Sequence, residues 1–519
     1  MSTSLDSTTG SFLTLKQSAI NNEIRNMQRK HFYETVKYFS VRATLEKQAG
    51  TYQYTIEPAN RDKQFFPDPR QDDGTYALLK GVHGKGGFYF DGQFDTAIEF
   101  IAGEPKKAFL KLDFKRLAFQ YHDQETPFNL NGTNCWIKLD LSQQLVRVGK
   151  RMRYGKEEVF CGSHILAKTL LNNQLKPFVR DEFRVSCIAA DLTLEKLHDC
   201  FISLQLQTLP RTLEDRVNIG QLLIEAIRAY LRFLSLNRNP FVLTCSVLGA
   251  NDDKGYQDTP WADVPTSLIP IDFDFQTSGG QGDDNALSLL FSSELGQEQG
   301  GTVGHELAIT RNNDGVVAYG IQALWEEVFM RKLYGPLRER IGHIVKGEFS
   351  YEDKNFNMDQ SSTSDRLKLH STIADYSEHI WGIKKKHYKN NFSAEVSKNA
   401  AIVFSGSVDI YYDGPASANE FNLIFSWDAK LHLAHEGATL NVMVDKDINV
   451  TLEKYDEGWW DGHKDLIGKL SGSITNAYDS VHFAASNGIL LPGGTTFVYS
   501  NLRLDEQNRL SVDLKIQSF

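Results

Sequence analysis

Any chemistry in this 519-residue chain would have to come from a few polar clusters, none of which has the partners catalysis needs. Gly304-His305-Glu306 offers a metal ligand beside a carboxylate, but no second His follows at helical spacing, so a zinc protease is excluded. Asp272 and Asp274 lie on one face of a strand and could hold a hard cation. An alternating strand also puts such a pair on its solvent face. His122, Asp123 and Glu125 fit an acid–base group or a polar turn. In GVHGKGGF, Lys85 is followed by Gly86 rather than by the Ser or Thr of a phosphate loop. Phe88, Tyr89 and Phe90 then read as a strand, so a hairpin turn fits better. Cys135, Cys161, Cys187, Cys200 and Cys245 are scattered, without CxxC or Cys/His zinc spacing, and read as reduced, buried thiols. There is no GxSxG, HExxH, phosphate-loop or EF-hand pattern. The reading is a protein that is not an enzyme, with no catalytic residue, metal or cofactor.

Binding is the remaining class. A net charge of −10 gives no nucleic-acid footprint over the whole chain, so no nucleic-acid partner is expected. The local run Lys384, Lys385, Lys386, His387 and Lys389 reads as a solvated loop between strands. The adjacent Trp459 and Trp460, flanked by Gly458 and Gly462, are candidate contacts for a membrane or a protein partner, or else a cover over the end of a sheet. No run of about 18 apolar residues predicts a transmembrane helix. The polar start MSTSLDSTTGSF lacks a signal-peptide pattern. The expected location is cytoplasmic or, after non-classical release, outside the cell.

The elements that would position a binding site are clearer. In FNLIFSWDAKLHL, Phe421, Leu423, Phe425, Trp427, Ala429, Leu431 and Leu433 alternate with mostly polar residues, with Ile424 the exception. A period of two makes one broad apolar strand face. Its expected cover is an amphipathic helix, either Ile321 to Ile344 or Leu466 to Val481. In the first, Ile321, Leu324, Trp325, Val328, Phe329 and Leu333 form a stripe that Gly335-Pro336 should break or kink. The second carries Leu466, Ile467, Leu470, Ile474 and Tyr478. The candidate groove residues are therefore Phe421, Leu423, Phe425, Trp427, Leu431, Leu324, Val328, Leu470 and Ile474.

Along the chain, residues 1–20 read as a disordered leader, followed by a short helix around Ile20 to Phe39. Residues 21–250 form a strand-rich N-terminal half with a long helix over 212–235. Thr212 is its N-cap, and its stripe is Leu213, Val217, Leu223, Ile224, Ile227, Leu231 and Leu234. In AFLKLDFKRLAFQYH the apolar parity changes, which predicts a bulge near Lys115 and Arg116. Residues 251–304, rich in Gly, Asp, Gln and Ser, read as a linker with long loops and short strands. Residues 305–519 form a second, similar half. Hydrophobic content of 41% and charged content of 24% fit an ordinary globular balance. Strands and helices are segregated, so the fold class is α+β. The predicted architecture is elongated, with long, highly twisted antiparallel sheets wrapped around long amphipathic helices.

Three segments carry a family resemblance: NPFVLTCSV (Asn239 to Val247), DVPTSLIPIDFDF (Asp263 to Phe275) and LPGGTTFVYSNLRLDEQNRLSVDLKI (Leu491 to Ile516). The chain resembles the tubular lipid-binding (TULIP) superfamily. Within it the resemblance is to the accessory proteins encoded beside clostridial neurotoxins, the OrfX-type proteins, and their fungal and bacterial relatives. That resemblance implies a twisted sheet rolled around a helix, in places enclosing an apolar groove that carries lipid or another hydrophobic molecule. The functional expectation is a non-enzymatic binder of a lipid or hydrophobic small molecule. The alternatives are a ligand-free structural or interaction module of a toxin or secreted complex, and an enzyme of secondary metabolism acting on a hydrophobic substrate.

Overall fold

The computed structural model describes residues 11–29, 38–46, 51–56, 87–121, 124, 127–153, 156–161, 182–207, 213–237, 241–248, 272–279, 285–292, 312–319, 333–349, 360–365, 368–380, 383–396, 401–413, 420–436, 439–444, 449–454, 464–479, 484–486, 489–493, 495–504 and 509–517. These residues form three antiparallel sheets of six, eleven and eight strands. The molecule is elongated and β-rich, with a strongly curled half-barrel sheet and few helices. The α+β architecture of long antiparallel sheets against amphipathic helices is the one the alternation predicts.

The six-stranded sheet joins distant parts of the chain. Its order is Asp272–Ser278, Ala286–Ser292, Ser11–Lys16, Gly315–Tyr319, Leu510–Gln517 and Thr496–Leu504. Ser11–Lys16 pairs on both sides, with Ala286–Ser292 and with Gly315–Tyr319. This corrects the leader expectation for residues 11–20, which form a buried strand and the first turn of helix α1 (Gln17–Arg29). Residues 1–10 lie outside the described residues. The short strands expected inside 251–304 are the outer hairpin of this sheet.

The eleven-stranded sheet runs Ile489–Leu490, Val242–Leu248, Glu182–Ala190, Thr133–Arg153, Lys107–Tyr121, Gly87–Phe100, Tyr38–Glu46 and Thr51–Ile56, with three short strands off this path. Gly87–Phe100 and Lys107–Tyr121 pair with a register shift that leaves Lys115 as the extra residue, the predicted bulge. Tyr38–Glu46 covers only the first half of Gly87–Phe100. Beyond it, α1 satisfies the free edge with side-chain amides. Asn21 Nδ2 donates to Ile98 O at 2.9 Å and Asn21 Oδ1 accepts from Ile98 N at 2.7 Å. Gln17 Oε1 accepts from Phe100 N at 2.7 Å. Asn21 thus imitates a neighbouring strand at one residue. Asn21→Ala leaves the part-buried edge groups of Ile98 without it and is expected to lower stability by about 2 kcal/mol. Urea unfolding checks this, with exposed Asn22→Ala as a near-neutral control.

The eight-stranded sheet runs Gln360–Asp365, Lys368–Ile380, Ile383–Val396, Ala401–Asp413, Glu420–Glu436, Thr439–Val444 and Ala484–Ser486, with Asn449–Lys454 also on Glu420–Glu436. Lys384 to Lys389, read as a loop, lie instead within the strand Ile383–Val396.

Four further helices complete the described elements: α2 (Leu194–Asp199), α3 (Leu213–Asn237), α4 (Gly335–Phe349) and α5 (Lys464–Asp479). α3 buries Ile219, Leu223, Ala226, Ile227, Tyr230, Leu231 and Leu234, a stripe at spacings of three and four, and packs on Tyr38–Glu46 and Thr51–Ile56. Val217, expected in the stripe, is 53% exposed because it falls off that face. Leu333 and Tyr334 form a π-helical turn that passes into α4 at Gly335-Pro336. Gly335-Pro336 are the first residues of α4, where proline's missing N–H has no intrahelical partner to lose; residues 321–332 lie outside the described residues.

Candidate functional site

The candidate site is the apolar seam of the eight-stranded sheet. It is built by alternation on three neighbouring strands. Phe392 and Ala394 come from Ile383–Val396, Phe404 and Val408 from Ala401–Asp413, and Leu423, Phe425, Trp427 and Ala429 from Glu420–Glu436, all buried. Leu337 and Ile341 of α4 and Leu466, Leu470, Ile474 and Ala477 of α5 are buried, and α4 packs on α5. Tyr334 meets Phe392 edge-on at 5.1 Å between ring centroids, and Phe392 meets Trp427 edge-on at 5.6 Å. Tyr334, just before α4, reaches this strand face through Phe392.

Of the candidate groove residues, Leu423, Phe425 and Trp427 are buried on one strand face, and Leu470 and Ile474 are buried on α5. Phe421 and Leu431 lie on the same strand, but their side chains are outside the described residues. Leu324, Val328, Trp459 and Trp460 also lie outside them. The sequence reading missed Phe392, Phe404, Val408 and Tyr334. The alternation in AIVFSGSV carries the signal for Phe404 and Val408. Nothing local marks Phe392 as a partner of Trp427.

The described residues of this face are buried by protein. The packing is specific. Gly406 and Trp427 are cross-strand partners, and the indole lies across the glycine: a Cβ at 406 would sit under 3.0 Å from ring carbons Cζ2, Cε2 and Cη2. Trp427 is 1% exposed, and its Nε1–H is buried with no hydrogen-bond acceptor.

A second seam, under the eleven-stranded sheet, is filled by rings. Tyr230 of α3 meets Phe39 at 5.3 Å and Phe94 at 6.0 Å, and Phe114 meets both phenylalanines at 5.4 Å. Burial pushes the Tyr230 hydroxyl well above the ordinary phenol range, so it stays protonated.

The polar candidates do not converge. Asp274 is exposed and pairs with Lys106 at 2.8 Å, on the solvent face of its strand. Asp272 lies on the same strand, its side chain outside the described residues. His122, Asp123, Glu125, Lys85, His305 and Glu306 lie outside the described residues. Among the described residues no group of three or more His, Cys, Asp or Glu side chains could hold a metal ion. None of the described helices is long and apolar enough to cross a membrane.

No family model matches the sequence, and no curated protein does. Solved structures are similar over the length of the chain. P47 of Clostridium botulinum E1 is 12% identical with a TM-score of 0.43, covering 98% of this chain and 99% of its own. P47 from Clostridium botulinum A2 is 13% identical with a TM-score of 0.43, covering 97% and 96%. A lipopolysaccharide binding protein is 10% identical with a TM-score of 0.32, covering 98% and 99%.

Proposed function

We propose that the chain is a non-enzymatic binding protein for a lipid or another hydrophobic ligand, held along the seam between the eight-stranded sheet and the α4–α5 pair. This is the role carried by the tubular lipid-binding proteins its sequence resembles. The observation behind the reading is the buried, unsatisfied indole N–H of Trp427 beside Phe392 and Phe425. An unpaired buried donor costs about 1–3 kcal/mol, and a phenylalanine would fill much of the same space without that cost. A ligand bringing a carbonyl, ester or carboxylate oxygen supplies the acceptor.

Uptake then requires the seam to open. α5 is suited to moving. Its Gly468 and Gly472 have open space where a side chain would go, so packing does not require glycine at either position. Each weakens the helix by about 1 kcal/mol relative to alanine. The apolar stripe, rather than intrinsic propensity, holds α5 in place.

The test is organic extraction of the purified protein with mass spectrometry, together with titration of a long-chain fatty acid into wild type and Trp427→Phe. We expect co-purified lipid, and about a tenfold weaker fatty-acid affinity in the variant, the equivalent of one hydrogen bond. No extracted lipid, with no binding to fatty acid or to phospholipid vesicles, sinks the reading. The burial of the seam's described residues favours a second reading in that event, a ligand-free interaction module of a toxin or secreted complex.

A further inference from the structure

Two of the scattered cysteines meet in the fold. Glu182–Ala190 and Val242–Leu248 pair antiparallel, and the register sets Cys245 directly opposite Cys187. Directly opposed residues of an antiparallel pair share a sheet face, with Cα atoms about 4.5 or 5.5 Å apart. Both spacings fall inside the range of roughly 4.4–6.8 Å that a disulfide spans. The two side chains are 0% and 1% exposed. No other described cysteine pair is set in register this way: Cys135 and Cys200 are neighbours in space, but Cys135 is paired with Leu112 and Leu204.

We propose that Cys187 and Cys245 are a built disulfide site, reduced where thiols are kept reduced and joined when the chain folds among low-molecular-weight disulfides such as glutathione disulfide. The Cys187 thiolate attacks one sulfur of glutathione disulfide, forms a mixed disulfide and releases one glutathione thiolate. The Cys245 thiolate then attacks the Cys187 sulfur, forms the internal bond and releases the second glutathione. Two protein thiols are oxidised, and one glutathione disulfide is reduced to two glutathiones. Burial, reinforced by the neighbouring Cys245 thiol, pushes the Cys187 thiol well above its ordinary range. The thiolate is therefore scarce in the finished fold, and the bond forms during folding, before the strands close over it. The covalent loop brackets α2, the strand Ile202–Gln205 and α3, so it ties down the segment that carries the long seam helix.

The test compares full-length protein made in a host with an oxidising cytoplasm and in an ordinary reducing host. Both samples are alkylated under denaturing conditions and peptide-mapped without reductant. The expected result is a linked pair of peptides carrying Cys187 and Cys245, lighter by two hydrogens than the free thiols, in the oxidised preparation alone. In a thermal scan without reductant, that preparation unfolds at a higher temperature, and the shift disappears in Cys245→Ser. Alkylated Cys187 and Cys245 in the oxidised preparation, or linkage of either to Cys135, Cys161 or Cys200, overturns the proposal.

Discussion

A chain lacking residues 1–16 is expected to lose its cooperative fold. Ser11–Lys16 lies inside the six-stranded sheet, so its removal strips Ala286–Ser292 and Gly315–Tyr319 of their shared neighbour. Every ladder bond on both sides goes with it, and buried backbone groups without partners are among the most costly defects a fold can carry. The side chains go too, since Phe12, Leu13 and Leu15 are buried, with Leu13 at 0% exposure. The sheet also joins strands from the two ends of the sequence, because Leu510–Gln517 pairs with Gly315–Tyr319. The point substitution Leu13→Asp makes the same case without shortening the chain. A carboxylate there has no partner in an apolar cluster, and a loss of roughly 4 kcal/mol or more is expected. Limited proteolysis and urea unfolding read both variants. If the truncated chain unfolds with the wild-type midpoint and slope, the N-terminal strand contributes nothing and this sheet assignment is wrong.

What the sequence disclosed and what it hid divide along the range of the interactions. The alternation from Phe421 to Leu433 specified a strand face, and Leu423, Phe425 and Trp427 are buried on it. The parity change at Lys115 specified a bulge, since a single inserted residue flips every later side chain. The stripe on α3 was legible to within a few residues, because a period near 3.6 depends only on near neighbours. In the six-stranded sheet the strands inside 251–304 were legible, but the sheet's order was not. The Ser11–Lys16 strand looked like a leader because its partners lie hundreds of positions away, and no local pattern encodes which edge it fills. The same limit applied to the seam. Trp427 was a candidate from its own strand alone. Its contacts with Gly406 and Phe392 depend on the register of two further strands. The cysteine pair shows this most simply, since Cys187 and Cys245 read as unrelated until the register opposes them.

Gly406→Ala should destabilise the C-terminal half, although the ordinary effect of replacing a strand glycine has the opposite sign. Glycine within a strand is usually worth roughly 0.5–1 kcal/mol less than alanine, because it loses more backbone freedom on folding. Here the added methyl would enter the space of the Trp427 ring, under 3.0 Å from three of its carbons. The ring has little room to yield, with Phe392 edge-on at 5.6 Å and Phe425 on its own strand at 6.2 Å. Overpacking a closed core costs typically 1–3 kcal/mol, and a rigid aromatic neighbour places this site at the upper end, about 3 kcal/mol. A double-mutant cycle isolates the cause. Trp427→Ala alone is expected to cost about 3–5 kcal/mol through the cavity it leaves. In Gly406→Ala/Trp427→Ala the new methyl no longer meets a ring, so the loss should fall short of the sum by about 2 kcal/mol. Additive losses would place the indole away from Gly406. A single Gly406→Ala variant as stable as wild type would do the same, and would reopen the seam as a space that side chains do not fill.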